Sequence, residues 1–376
     1  MRSAESVPLQ SFCRIVQGGR LGLSGNDFVP SGFPAYGAGG VNGYLATHEF
    51  DEPGVVLSAI GARCGKCFFA DGKWISLANT QLIFPDPARA DCKFLWYQLN
   101  DERRWHRSGT GQPFIKPADV KAHRVFLPPL PEQRRIAEIL DKVDALRAKR
   151  RAALAQLDTL TQSIFIDMFG DPATNPKGWA RPSLAELLNG AEVFVDGDWI
   201  ESKDQDPEGE VRLIQLADVG DGVYIDKSKR FLTKQTALRL KCTPLKVGDV
   251  LVARMPDPLG RACLFPGDER EAVTVVDVCI MRPATEGPHP VWLMCCINTS
   301  AFRSQIAREA TGTTRERISR GNLAKLRVIS PPRELQESFV RQYQTVSDLR
   351  ARQCASLEEI DGLFASLQHR AFRGEL

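Results

Sequence analysis

Apolar residues recur at steps of three and four positions in two long stretches of the chain. The first stretch starts at Pro131 and stops at the breaker cluster Gly170-Asp171-Pro172, and its apolar positions are Ile136, Leu140, Val143, Leu154, Leu157, Ile164 and Met168. The second runs from about Glu334 to Phe372, with apolar positions at Phe339, Val346, Leu349, Leu357, Ile360, Phe364 and Leu367. This spacing predicts two long amphipathic helices of coiled-coil character. Because neither helix can bury its stripe alone, we expect the two to pair in antiparallel orientation.

The two stretches belong to an internal repeat. A shift of 203 residues superposes identical residues without a gap: Gly109 on Gly312, Pro128-Pro129 on Pro331-Pro332, Gln133 on Gln336, Leu146-Arg147-Ala148 on Leu349-Arg350-Ala351, and Phe169 on Phe372. The preceding segments match far less, with a weaker echo that pairs Gly54–Leu57 with Gly248–Leu251 and Gly65-Lys66 with Gly260-Arg261. The chain therefore alternates variable and shared regions.

The repeat predicts a domain plan of four segments. Residues 1–130 and 173–332 are the variable regions, which alternate and turn like short strands with one or two helices, and residues 131–172 and 333–376 are the long helices. The predicted fold class is α+β, with two α/β domains in tandem, separated by an antiparallel helix pair and related by a pseudo-two-fold repeat. Antiparallel pairing would place the variable regions at opposite ends of a rod.

Composition refines this picture in two ways. The chain of 376 residues is 43% hydrophobic and 25% charged, which is typical of globular proteins, and its net charge is only +3. Any charge that binds nucleic acid must therefore be local. Ten irregularly spaced cysteines, the absence of a signal-like N-terminus and the absence of a long apolar run predict a cytoplasmic protein with reduced thiols and no membrane span.

The first variable region combines a glycine-rich run, Tyr36–Tyr44, with a basic cluster that leads into a Gly-Thr-Gly loop. Glycines allow close backbone approach to a ligand, although tight turns are the commoner explanation. Arginines give bidentate contacts to guanine or phosphate, although a solvated helix end is an alternative. The candidate DNA contacts are Tyr36, Asn42, Tyr44, Lys66, Arg103, Arg104, Arg107, Thr110, Gln112 and Lys116.

The second variable region repeats this order of a hairpin, a helix, a basic loop and a helix. Its Thr-Gly-Thr-Thr run offers hydroxyl and backbone N–H groups to phosphate oxygens. The candidate DNA contacts are Arg254, Arg261, Arg303, Arg308, Thr313, Thr314, Arg315, Arg317 and Arg320.

Motifs that would carry a reaction are missing from the sequence. Cys64 and Cys67 form a lone Cys-x-x-Cys without the two further ligands of a structural zinc site. No phosphate-binding P-loop, His-Glu-x-x-His pair or nucleophile elbow occurs. We therefore expect no catalytic residue, no metal and no cofactor bound by this chain.

The segment Leu127–Pro172 resembles the central region of type I restriction–modification specificity subunits, above all in its Pro-Leu-Pro-Glu-Gln start at Pro129–Gln133. Tyr36–Tyr44 and Ser108–Val120 resemble recurring segments of the target-recognition domains of that family, and the C-terminal residues resemble the end of its second spacer. The second spacer departs from the pattern, with Pro-Pro-Arg-Glu-Leu-Gln at Pro331–Gln336.

The resemblance implies a bacterial or archaeal DNA-binding subunit of a phage-defence restriction system. Each target-recognition domain would read half of a split, asymmetric double-stranded DNA site, and the helices would set the gap. Two methyltransferase subunits carrying S-adenosylmethionine would dock on the chain and methylate adenines. A restriction subunit using ATP and Mg²⁺ is a further expected partner.

Two competing hypotheses remain open at this stage. The chain could be an assembly scaffold of a phage-defence complex that reads no sequence, but basic loops in both halves argue against this. It could also be a stand-alone enzyme, which the missing motifs disfavour.

Overall fold

The computed structural model describes residues 6–19, 27–109, 111–256, 258–312 and 315–376. The chain forms two compact units: unit 1 comprises Met1–Ala153 and Gln353–Leu376, and unit 2 comprises Leu154–Arg352. The unit boundaries fall inside both long helices, so each unit contains one variable region and part of each helix. This division differs from the four consecutive segments predicted from sequence, because each variable region packs on segments of both helices.

Unit 1 begins with short strands and ends on the long helices. Its strands are β1 (Ser6–Pro8), β2 (Cys13–Gln17), β3 (Phe33–Gly37), β4 (Gly40–Leu45), β5 (Gly54–Ser58), β6 (Cys67–Ala70), β7 (Ile75–Ser76), β8 (Thr80–Pro85) and β9 (Arg124–Phe126). Its helices are α1 (Cys92–Leu99), α2 (Pro117–Ala122) and the first part of α3 (Leu130–Phe169).

Unit 2 repeats this plan. Its strands are β10 (Val193–Asp196), β11 (Val211–Ile214), β12 (Phe231–Leu232), β13 (Val250–Ala253), β14 (Ala262–Leu264), β15 (Glu271–Thr274) and β16 (Val278–Arg282). Its helices are α4 (Leu184–Leu187), α5 (Lys234–Leu240), α6 (Pro290–Ile297), α7 (Ser300–Glu309), α8 (Arg320–Lys325) and the first part of α9 (Arg333–Ala371).

The two units share one sheet topology. A four-stranded antiparallel sheet has the order β2-β8-β5-β6 in unit 1 and β10-β16-β13-β14 in unit 2. A three-stranded sheet accompanies each, with one antiparallel and one parallel neighbour, in the orders β4-β3-β7 and β12-β11-β15. The α+β class is confirmed, and the repeat extends through the variable regions although their sequences diverge.

Backbone hydrogen bonds fix the register between the two copies. Ser58 exchanges hydrogen bonds with Gly65 and Lys66, and Ala253 exchanges equivalent bonds with Gly260 and Arg261. The predicted pairing of Gly65-Lys66 with Gly260-Arg261 is therefore confirmed. The predicted pairing of Gly54–Leu57 with Gly248–Leu251 was wrong by one residue. Ser58 corresponds to Ala253, so Leu57 corresponds to Val252. A slip of one residue exchanges the two faces of a strand, so the echo had paired inward with outward positions.

Segments of α3 and α9 run antiparallel within each unit. In unit 1, Ile136 and Leu140 pack in one cluster with Phe94 and Ala371, and Arg147 forms an ion pair with Asp361. In unit 2 the corresponding arginine, Arg350, pairs with Asp158 at 2.9 Å between Nε and Oδ1. The rings of Phe165, Phe169 and Phe339 contact one another there. The repeat therefore places the same ion pair in both units.

A buried glutamine near the start of each long helix holds a shorter helix in place. Gln133 Oε1 accepts the Asp91 N–H at 2.9 Å, and its Nε2 donates to the carbonyls of Arg89 at 3.0 Å and Pro128 at 2.7 Å. Gln336 accepts the His289 N–H at 2.8 Å and donates to Pro331 at 2.9 Å. Asp91 and His289 cap α1 and α6. The glutamine shared by both copies thus fixes the angle between a variable region and the spacer.

We predict that Gln133→Leu lowers the urea midpoint of unfolding. The change leaves the Asp91 N–H and two carbonyls without their buried partner, which costs roughly 1–3 kcal/mol per unsatisfied group. The matched control is Gln156→Leu, at an exposed position of the same helix. Equal midpoints for the two variants would contradict this role for Gln133.

Candidate nucleic-acid interface

The loop that follows the basic cluster in unit 1 and carries arginines in unit 2 is one structural element built twice; we call it the basic loop, although its unit 1 copy contains no lysine or arginine. In unit 1 it spans residues 108–114 and closes through hydrogen bonds between Ser108 and Phe114 at 2.8 and 2.9 Å. In unit 2 it spans residues 311–317 and closes through Thr311 and Arg317, with both bonds at 2.9 Å. Thr110, Thr313 and Thr314 lie outside the described residues.

A glycine is required at the same place in both basic loops. Gly109 has φ +90° and Gly312 has φ +106°, in the region that favours glycine. A Cβ on Gly109 would lie 2.7 Å from the Gln112 carbonyl oxygen, and one on Gly312 would lie 2.5 Å from that of Arg315. The shared glycine therefore permits the turn, and the residues after it are free to differ.

Each basic loop is anchored on the connection between a central strand and the edge strand beside it in the four-stranded sheet. The N–H of buried Ile115 donates to Ala59 at 2.9 Å, and the N–H of buried Ile318 donates to Arg254 at 3.1 Å. These anchors fix the loop beside the β5–β6 connection in unit 1 and beside the β13–β14 connection in unit 2.

A third loop joins the other two in each unit. In unit 1, Arg63 Nη1 donates to the carbonyl of Gly39 in the glycine-rich β3–β4 turn at 3.0 Å. In unit 2, Arg261 donates to Leu216 at 2.8 Å, in the β11–β12 connection, and to Pro258 at 2.9 Å. We call these sets of loops the three-loop faces: residues 37–44, 59–66 and 108–114 in unit 1, and residues 215–230, 254–261 and 311–317 in unit 2.

The predicted residues of the glycine-rich run divide into exposed and structural ones. Asn42 and Tyr44 are exposed on β4. Tyr36 is half-buried, donates its hydroxyl to the Phe69 carbonyl at 3.2 Å and packs edge-on against Trp74. Tyr36 stays a predicted DNA contact, with its hydroxyl already bonded within the fold.

The other predicted residues of the unit 1 loops are exposed or half-buried. Lys66 is half-buried, with its ammonium 5.9 Å from the Phe68 ring, and Gln112 and Lys116 are exposed. These three side chains stay available to a ligand.

The arginine cluster of unit 1 does not act as one patch. Arg103 is 89% exposed but forms two hydrogen bonds with Asp101, which lower the pKa of that carboxyl. Arg107 donates to the Glu102 carbonyl at 2.8 Å and lies beside Gly65, so it borders the three-loop face. Arg104 instead lies over the Phe372 ring, in a separate pocket. An exposed ion pair such as that of Arg103 is weak and exchangeable for phosphate.

Two arginines of unit 2 are buried and support the basic loop. Arg254 is 2% exposed, donates to the Ile318 carbonyl at 3.1 Å and lies 3.1 Å from Asp196 as an ion pair without hydrogen-bond alignment. Arg261 is 6% exposed and bonds only to backbone carbonyls among its described partners. Both arginines stay predicted DNA contacts, but they lie next to buried strands and their guanidinium groups already satisfy backbone carbonyls at the strand ends.

The other five arginines predicted as DNA contacts in unit 2 lie at or near the surface, and they differ in whether they have a partner. Arg303 pairs with Asp221 at 2.6 Å, Arg317 lies 4.0 Å from Asp277, and Arg320 donates to the Phe194 carbonyl at 3.0 Å. Arg308 and Arg315 are exposed and pair with no residue that the structure describes. Arg315, in the basic loop, is therefore the guanidinium most available to a ligand.

The sequence prediction missed a basic run in the third loop of unit 2. Buried Asp218 accepts three backbone N–H groups, from Gln215, Lys227 and Ser228, each at 2.7 Å. This network fixes the loop and leaves Lys227 and Lys229 exposed. Three basic residues within four positions, Lys227–Arg230, were the available signal, but the repeat shift gives this run no counterpart. Arg63 of unit 1 was missed for the same reason.

The potential metal ligands of the described residues, including the Cys64 and Cys67 pair, form no cluster. No set of three or more His, Cys, Asp or Glu side chains among these residues is arranged to hold a metal ion. Cys64 and Cys67 are buried, donate their thiols to backbone carbonyls at 3.4 Å, and have pKa values raised by burial. The described helices are each too short or too polar to span a membrane.

Comparison with known proteins agrees with this architecture. Residues 1–156 match the family described as the type I restriction modification DNA specificity domain. The chain is 23% identical over 279 residues to the type I restriction enzyme EcoBI specificity subunit of Escherichia coli, covering 66% of this chain and 58% of that relative. It is 20% identical over 341 residues to the MjaVIII specificity subunit of Methanocaldococcus jannaschii, covering 87% and 80%.

Solved structures resemble the fold along the whole chain. The S subunit of a type I restriction–modification system from M. genitalium covers 98% of this chain and 96% of its own, with a TM-score of 0.64 and 14% identity. A chain from a study of complex assembly and conformational transition of the type I system has a TM-score of 0.54 and 19% identity, covering 99% and 98%.

The resemblance drawn from the sequence is confirmed: residues 1–156 match the type I restriction modification DNA specificity domain, and the chain is similar to type I specificity subunits over 66% and 87% of its length.

We predict that Lys227→Ala lowers the salt dependence of DNA binding. A lysine that neutralises one phosphate contributes about one unit to the slope of log affinity against log salt concentration. The control is Lys234→Ala, an exposed lysine of α5 outside the three loops. Binding should be measured with partner subunits present, at about 50–200 mM salt. A slope unchanged in the Lys227 variant would remove this loop from the interface.

Proposed function

We propose that the two units read the two halves of a bipartite, asymmetric double-stranded DNA site. The observation that supports this most is the pair of basic loops, which share backbone anchors but present different side chains. Unit 1 exposes Gln112 and Phe114 where unit 2 exposes Arg315 and Arg317. Glutamine suits adenine and arginine suits guanine in the major groove, so equivalent loops should select unlike half-sites.

Other basic groups suit positioning on the DNA backbone. Exposed basic residues on or near the loops include Arg103, Lys116, Lys227 and Lys229. Contacts of this kind fix register on the duplex and carry little sequence information. The chain thus supplies recognition, and the chemistry belongs to its partners.

We propose that two methyltransferase subunits dock on the chain, one on each unit. Leu146 and Leu363 in unit 1 are each 50% exposed, and their repeat equivalents in unit 2, Leu349 and Leu160, are 44% and 41% exposed. Each pair lies on antiparallel helix segments near the equivalent ion pairs of Arg147 and Arg350. An apolar patch built twice suits two copies of one partner.

The cofactors then belong to the partners. S-adenosylmethionine would be held by the methyltransferase subunits, and ATP with Mg²⁺ by restriction subunits that join the complex.

We predict that Arg315→Glu abolishes preference at one half-site and Arg103→Glu weakens binding at the other. Loss of a bidentate base contact costs about 1–3 kcal/mol and relaxes specificity at that position. The readout is competition between the cognate duplex and duplexes with either half-site scrambled, with Arg181→Glu as an exposed control. If Arg315→Glu leaves discrimination intact, Arg315 is not a base contact. If the parent complex itself does not discriminate cognate from scrambled duplexes, the chain is better described as a scaffold that reads no sequence.

We predict that Leu363→Asp and Leu160→Asp each remove one methyltransferase subunit. An aspartate in a buried apolar contact carries a large desolvation cost. Native mass spectrometry should show one partner copy for either variant and none for the double variant. Leu238→Asp, at a leucine 78% exposed on α5, is the control. Two bound copies in every variant would contradict docking at these patches.

A further inference from the structure

One tryptophan stands apart from the others in this protein. Trp199 is 72% exposed, whereas Trp74 and Trp292 are fully buried, Trp105 is 5% exposed, and Trp96 and Trp179 are half-buried. The indole of Trp199 makes one polar contact, from Nε1 to Glu201 Oε1 at 3.4 Å. An exposed indole offers an apolar face and a polar N–H to a ligand, and what singles out Trp199 is its place in the fold.

The backbone that carries Trp199 is firmly held. Gly197 donates to Val278 at 2.8 Å, and Asp198 donates to Thr274 at 2.8 Å. The Asp198 carboxylate accepts the Thr243 N–H at 2.9 Å. A Cβ on Gly197 would lie 2.3 Å from the Val275 carbonyl oxygen, so the chain passes close against this turn. The indole therefore projects from a fixed backbone segment, Gly197-Asp198, which we call the stem. A fixed stem lowers the entropic cost of binding.

The stem leaves the sheet at the same end as the three-loop face of unit 2. β10 and β13 both run antiparallel to β16, between them. They therefore end on the same side, β10 at Asp196 and β13 at Ala253. The loop of residues 254–261 follows β13 directly, and Trp199 follows β10 by three residues.

Asp196 connects the stem of Trp199 to the basic loop. Its carboxylate lies 3.1 Å from Arg254 Nε and 3.8 Å from Arg320 Nε. Arg254 in turn holds the carbonyl of Ile318, which follows the basic loop. One carboxylate thus ties together the stem of the exposed indole and the base of the loop that carries Arg315.

The segment of residues 196–210 around Trp199 is acidic, with seven Asp and Glu residues and one lysine. The two carboxylates that follow Trp199 most closely in the chain are paired: Glu201 with Lys203 at 2.6 Å, and Asp204 with Arg239 at 2.6 Å.

We propose that Trp199 is a DNA contact of unit 2, with its indole face against a deoxyribose or base edge of the half-site read by that unit. This inference rests on the proposed function. Apolar side chains gain free energy by packing against sugars and base edges, and they also wedge against base steps from the minor groove. Trp199 adds apolar contact to a face that is otherwise polar and basic.

The test compares Trp199→Ala with Trp199→Phe in the complex with methyltransferase subunits. The probe is a duplex carrying the methylated motif of the host, with the unit 2 half-site intact or scrambled. The alanine variant should bind the intact duplex about tenfold more weakly, and the phenylalanine variant should stay close to the parent. Leu238→Ala, which removes another exposed apolar side chain of unit 2, should change nothing.

Acrylamide quenching gives a second readout. The exposed indole should be quenched in the complex without DNA, protected when DNA is added, and absent from the signal of Trp199→Phe. If the methyltransferase subunits alone protect it, Trp199 contacts protein and the proposal is wrong. If Arg315→Glu weakens binding and Trp199→Ala does not, only this inference fails. If neither variant weakens binding, the proposed function itself fails.

Discussion

The structure depends on burying the apolar stripes of the two long helices against the short helices of the variable regions. Phe94 of α1 packs with Ile136 and Ala371 in unit 1, and Trp292 of α6 packs with Phe169 and Phe339 in unit 2. In each unit one hydrophobic cluster is thus built jointly by a short helix and segments of α3 and α9, so neither long helix is an independent domain. Gln133 and Gln336 add directional hydrogen bonds to the same contact. Each variable region therefore has one orientation on its segments of α3 and α9.

The candidate interface also depends on which basic side chains remain exposed. The net charge of the chain is only +3, and several arginines form contacts inside the fold. Arg254 and Arg261 satisfy backbone carbonyls at strand ends, and Arg147 and Arg350 join the long helices. The basic groups left free are those on loops, such as Arg315. Local exposure, rather than total charge, therefore defines the candidate interface.

Much of this architecture could be predicted from sequence, because helical periodicity and a constant repeat shift are local signals. The shift places Pro117–Ala122 on Arg320–Lys325, and both are helices. It also places Gly109 on Gly312, and both have positive φ. The burial of Arg254 was not predictable, because it depends on Asp196 and Ile318, which are distant in sequence.

Two features that have no counterpart in the repeat were not predicted from sequence, for a related reason. The first half contains no residues that match Lys227–Arg230 and Trp199, and the availability of these side chains to DNA depends on which end of a sheet they occupy. That placement follows from strand order, which is a tertiary property. The division into units was missed because it depends on packing between variable regions and helices, not on composition along the chain.

The most direct test of DNA reading is adenine-methylation sequencing of the whole host genome with and without this gene. We expect that deletion removes methylation from one gapped, asymmetric motif with two unlike half-sites, and that Arg315→Glu weakens recognition of only one of them. A methylome that is unchanged on deletion, in cells where the partner methyltransferase is active, would contradict the claim that this chain selects the DNA sequence.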